Sequence, residues 1–121
     1  MSGNIVLEKS HKFALRIVNV YKYLTEVKKE YVLSKQILYS GIHIGAHIKV
    51  AQEAESKGEF THDMQTALKH VSRTEYWLQL LNESDFLETR YFKSIDADRE
   101  ELRRLIISIV KSSKGLRREA E

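Results

Sequence analysis

His43 and His47 stand four residues apart in the run His43-Ile44-Gly45-Ala46-His47, a spacing that sets two imidazoles on one helix face and could chelate a metal ion. Two nitrogen ligands do not complete a site. The run lacks the Glu that directly follows the first His in zincins, and no third ligand sits at a fixed spacing. Structural or interface histidines are the reading this favours, and no metal is assigned. His62 and His70 do not share a helical row, and His11 is isolated. Asp63, Glu75 and Glu83 could supply acids to a bundle core, yet the E-x-x-H pair of di-iron bundles does not occur. Neither a G-x-S-x-G elbow, an S-x-x-K run nor a Gly-rich phosphate loop is present. With no Cys, a thiol nucleophile, a zinc ribbon, a disulfide framework and an iron–sulfur site are all excluded. No catalytic residue, cofactor or small-molecule substrate is therefore assigned, and the expectation is that the protein is not an enzyme.

The cations are better organised. Arg104, Lys111, Lys114 and Arg118 fall on one helical stripe, and from Leu102 to Arg118 there is no acid, so that Arg103 and Arg117 bring the run to six positive charges. In an up-down-up-down bundle the start of the first helix lies near the end of the last, which would let Lys9, Lys12 and Arg16 extend the same face. Such a face suits phosphate contact. A solvated helix face is also usually charged, and cations complement the dipole at a helix C-terminus. Twenty Lys and Arg against seventeen Asp and Glu give a net charge of +3, which permits nucleic-acid binding without requiring it.

Positioning these residues falls to long elements. The chain has 121 residues, no Pro and five Gly, which argues for a few uninterrupted helices in one domain over 1–121. At 42% hydrophobic and 31% charged residues it can form a core. Val6, Phe13, Ile17, Val20, Leu24, Val27 and Tyr31 make one stripe, predicting a first helix over roughly 6–29. Ile37, Gly41, Ile44, Ile48 and Ala51 predict a second over roughly 35–55, with Ser34 as its cap. Ser56-Lys57-Gly58-Glu59 has the form of a capping box, and Phe60, Met64, Ala67, Leu68, Val71, Leu78 and Leu81 follow on a third helix over roughly 57–83. Tyr91, Ile95, Leu102, Leu105, Ile106 and Ile109 predict a fourth over roughly 88–114, with Gly115 as its stop. Short connections between such helices imply an all-α, antiparallel up-down-up-down four-helix bundle. The second helix also carries Gly41, Gly45, Ala46, Ala51 and Ala54, small residues that let another backbone approach closely.

Several large apolar residues lie off these stripes. Leu15, Val18, Tyr76, Trp77, Leu80 and Ile107 are expected to point away from the core. Single exposed apolar side chains are normal, but a Trp, a Tyr and several aliphatics together predict an oligomer interface, which Trp77→Glu should dissociate. The N-terminal MSGNIVLEKS lacks a signal-peptide pattern, and the charge-free stretch from Gln36 to Ile48 is too short and polar to span a bilayer. The cytoplasm is the expected location, with no membrane contact.

The stretch from Ser34 to Ile48 (SKQILYSGIHIGAHI), then Ala51-Gln52-Glu53-Ala54-Glu55-Ser56-Lys57, Phe60, Ala67-Leu68-Lys69 and Glu75-Tyr76-Trp77-Leu78-Gln79-Leu80-Leu81, resembles the bacterial 23S rRNA intervening-sequence proteins. The resemblance implies a four-helix bundle without established enzymatic activity, often encoded within 23S rRNA genes. It also implies a ring-like homo-oligomer, a pentamer. The similar accessory variability determinant of diversity-generating retroelements is a basic ring that binds a reverse transcriptase and nucleic acid. Expected partners are thus further copies of the chain, with RNA or a nucleic-acid-processing protein on the basic face; a scaffold that binds only protein is the alternative. This chain departs from the family pattern at His43 and His47, where a small polar residue and Asn are usual, and at Lys49-Val50, where an acidic pair is common.

Overall fold

A computed structural model describes the backbone of residues 2–115 and side chains from Ile5 onward. Four helices account for it: α1 (Ser2–Glu26), α2 (Leu33–Ala51), α3 (Lys57–Glu83) and α4 (Thr89–Lys114). Each packs on its sequence neighbours, and α1 closes on α4. The pairing contacts run in opposite directions along each pair. Ile17 and Ser10 of α1 meet Gly41 and Gly45 of α2, Ser40 and His47 of α2 meet Thr74 and His70 of α3, and Lys9 and Arg16 of α1 meet Glu101 and Asp98 of α4. Thr61 and Glu75 of α3 likewise meet Ser113 and Arg99 of α4. The bundle is antiparallel throughout, as the spacing predicts.

The expected stripes form the core. Phe13, Ile17, Leu24, Ile37, Ile44, Ile48, Met64, Leu78, Leu81, Ile95, Leu102 and Ile106 are fully buried. Leu87, from the connection between α3 and α4, joins them. Three stripe members depart from expectation. Val27 and Tyr31 are 64% and 54% exposed, because α1 ends at Glu26: Lys29 takes a left-handed φ of 57° and the Glu30 N–H returns to the Leu24 carbonyl. Tyr91 is also exposed, lying at the α1–α4 seam beneath the Arg16 guanidinium.

Capping differs at one site. Ser34 lies inside the first turn of α2, buried, and does not cap it. The Glu30 carboxylate does so instead, accepting from the backbone N–H groups of Val32, Leu33 and Ser34 at 3.1, 2.9 and 2.7 Å. α2 correspondingly starts two residues earlier than the stripe predicts, and it ends at Ala51 rather than near 55. Ser56 caps α3 by accepting from the Glu59 N–H at 3.1 Å, and Gly115 stops α4 with φ 76°, both as read from sequence. No helix among the described residues is long and apolar enough to cross a membrane.

Candidate functional site

The basic face divides into paired and unpaired cations. Lys9 lies 3.0 Å from Glu101, and Arg16 donates to Asp98 at 2.8 Å and to Ser94 at 3.1 Å. Arg103 clamps Glu100 through Nε and Nη2, both at 2.8 Å, and Arg104 donates to the same carboxylate at 3.2 Å. The Arg103 hydrogen bonds, aided by Arg104 and Arg99, pull the Glu100 carboxyl down to about 2, so that it stays ionised. The acid-free run after Leu102 is therefore neutralised at its start by an acid one turn upstream. Lys12, Lys111 and Lys114 are exposed and carry no ion pair among the described residues. Arg117 and Arg118 lie outside the described residues.

The six apolar positions assigned to an interface separate as well. Leu15 and Tyr76 are 55% and 60% exposed. Val18, Leu80 and Ile107 are half-buried, and Trp77 packs against the protomer's own core, edge-on to Tyr76. Leu15 on α1 and Tyr76 on α3 belong to helices that are diagonal in the bundle, with no close backbone approach among the described residues, so they mark two faces rather than one patch.

His43 and His47 do share a face of α2, and α3 brings His70 against them. The His70 ring centroid stands 5.4 Å from His43 and 5.2 Å from His47. Tyr39 stacks on His43 at 4.0 Å, and the His43 Nδ1–H donates to the Tyr39 carbonyl at 2.7 Å, which fixes that tautomer. His70 is 4% exposed, and its Nδ1 is buried without a hydrogen-bond partner. Burial, with Arg73, His47 and His43 nearby, lowers its pKa to about 4. The three imidazoles do not converge on a common point: no three His, Cys, Asp or Glu side chains among the described residues are placed to hold a metal ion.

Sequence reading missed the His70 contact because its partners lie across a helix pair, where spacing along one helix carries no signal. The same holds for Arg99, a charged side chain only 3% exposed at the α3–α4 seam. Its Nε donates to Asp96 at 2.6 Å, and Nη2 reaches Glu75 at 3.4 Å and Glu100 at 3.5 Å. Glu75, a candidate core acid by sequence, is thus an ion-pair partner linking α3 to α4.

Two grooves flank these features. One of about 820 Å³ runs between α1 and α2 past Leu7, His11, Lys12 and Gly45. Another of about 510 Å³ runs between α2 and α3 past Gln36, Tyr39, Arg73, Tyr76 and Trp77. The polar groups that meet between helices, Arg99 with Glu75, Ser40 with Thr74 and Arg16 with Asp98, tie elements together. What the molecule offers its surroundings is a set of charged and aromatic surfaces on a helical bundle.

That class has a family. The chain belongs to the 23S rRNA-intervening sequence protein family, whose pattern it matches over residues 3–108. It is similar to a crystal structure of a protein of unknown function from the S23 ribosomal protein family of Bacteroides thetaiotaomicron VPI-5482. The two are 46% identical over 92% of this chain and 99% of the other, with a TM-score of 0.90. A comparison with curated proteins gave no match.

Proposed function

We propose that the protein is a non-enzymatic, cytoplasmic homo-oligomer that takes up RNA, or a nucleic-acid-processing partner, on the cationic face of α1 and α4. Lys12, Lys111 and Lys114 carry this reading, being exposed cations without an ion pair among the described residues. The family's connection with 23S rRNA supports it. Because binding would rest on phosphate neutralisation, it would be largely independent of sequence and steeply weakened by salt. Filter binding to a structured RNA at two salt concentrations tests this. Each lysine lost from Lys12, Lys111 or Lys114 should lower the salt slope by about one. Binding that ignores salt, or no binding, overturns it.

The separation of Leu15 from Tyr76 supports an assembly in which each subunit uses two different faces, which closes into a ring such as a pentamer. Leu15→Glu and Tyr76→Glu should each lower the mass seen by light scattering, and a monomer mass for the unaltered chain counts against the assembly. Trp77→Glu is the poorer probe, since that side chain also packs on its own core. The pairing of Lys9, Arg16, Arg103 and Arg104 with acids favours a second reading, a scaffold that binds only protein, its charge serving solubility. The RNA assay separates the two.

A further inference from the structure

We propose that Tyr39, His43, His47 and His70 form an acid-sensitive latch across the α2–α3 seam, one that holds His70 neutral and therefore loses stability relative to the unfolded chain as the pH falls below neutral.

The geometry leaves a cation nowhere to go. A protonated His70 would carry an N–H donor at Nδ1, and that atom is buried without an acceptor. An unsatisfied buried donor carrying charge is among the costlier arrangements a core can hold. Two elements meet at His70. From α2 it faces Tyr39, His43 and His47, and from α3 the charge acting on it is the Arg73 guanidinium. No carboxylate forms an ion pair with any of the three imidazoles among the described residues, so nothing nearby offsets a positive charge. His43 and His47 are half-buried and open to water. Their ring centroids stand 5.4 and 5.2 Å from that of His70. The seam is also deeply polar one turn away, where the buried Thr74 hydroxyl donates to Ser40 at 2.9 Å. Loosening there would let water reach groups that are now dry.

The sign follows from linkage. His70 binds its proton more weakly in the fold, at about 4, than in the unfolded chain, at 6.5. Stability is therefore complete above about pH 6.5 and is lost as the pH falls toward 4. Between pH 7 and pH 5 this one group should raise the unfolding equilibrium constant about twentyfold. That window lies above the one in which carboxylates titrate.

Urea unfolding of the full chain at pH 7 and pH 5 tests the latch, with His70→Gln and, as a control on an exposed histidine of the same helix, His62→Gln. The unaltered protein and His62→Gln should share the loss at pH 5, and His70→Gln should lack about twentyfold of it. Equal pH dependence in all three, or none in the unaltered protein, overturns the proposal. Should His70→Gln fail to fold, the imidazole resonances of the unaltered protein decide: a His70 that stays neutral at pH 5 upholds the latch, and one that titrates near 6.5 overturns it.

Discussion

Gly41 approaches Ile17 so closely that a Cβ at position 41 would lie 2.7 Å from both Cγ1 and Cγ2 of the isoleucine. Ile17 is fully buried and β-branched, so it has no spare rotamer with which to give way. Gly41→Ala should therefore cost about 1–3 kcal/mol in overpacking, more than the ~1 kcal/mol that alanine gains in helix propensity. The urea midpoint should fall. At Gly45 the nearest atom is instead the Ser10 hydroxyl at 3.0 Å, which bonds to the Leu7 carbonyl and can rotate. Gly45→Ala should leave the midpoint nearly unchanged, and a larger loss there than at Gly41 would refute this account of the α1–α2 approach.

Glu30 should matter more than an exposed loop acid ordinarily does. Burial alone would raise its pKa, but the Leu33, Ser34 and Val32 N–H donors outweigh that and hold the carboxyl below its ordinary value. The cap's contribution is thus present at neutral pH and fades as the pH falls through the lowered pKa. Glu30→Ala should cost about 1 kcal/mol at pH 7, as lost caps do. The gap between the variant and the unaltered protein should close at acid pH, and a gap independent of pH would show that the ionised carboxylate is not what stabilises α2.

Arg99 offers a test of charge against packing. Its partners Glu75, Asp96 and Glu100 are 42%, 30% and 29% exposed, so water can take them back if the guanidinium is removed. Its Nη1 has no partner even now. Arg99→Met fills most of the same space and should change stability by less than about 1.5 kcal/mol. Arg99→Ala leaves a cavity and should cost about 2–3 kcal/mol. Equal losses in calorimetry would assign the stability to the ion pairs instead.

Much of the architecture was legible because apolar spacing along one helix determines which face is buried, as Met64, Ala67, Val71 and Leu78 illustrate. The Ser56 cap and the Gly115 stop were legible for a related reason, since each acts on atoms within four residues. What escaped depends on neighbours across helices or on unusual caps. Glu30 replaces the expected Ser34 because a long carboxylate can reach three N–H groups from outside the helix. His70 and Arg99 lie on core-facing stripes where polar residues are disfavoured, and only the facing helix reveals their partners. The basic run was visible in the chain, and its partial neutralisation by Glu100 follows i,i+3 and i,i+4 spacing within α4, whereas the Lys9–Glu101 pair required the three-dimensional register.

The α1–α4 seam has a kinetic meaning. Its Arg16–Asp98 bond joins residues 82 positions apart, whereas Ser40 and Thr74 on the α2–α3 seam are separated by 34. Loop closure makes the more distant pairing the slower to form, so the middle helices should dock first and the outer ones should complete the bundle after the rate-limiting barrier. Arg16→Ala and Asp98→Ala would then accelerate unfolding while leaving the refolding limb of the chevron almost in place. The first and last helices would thus act as a clasp that sets how long the native state survives rather than how quickly it is reached.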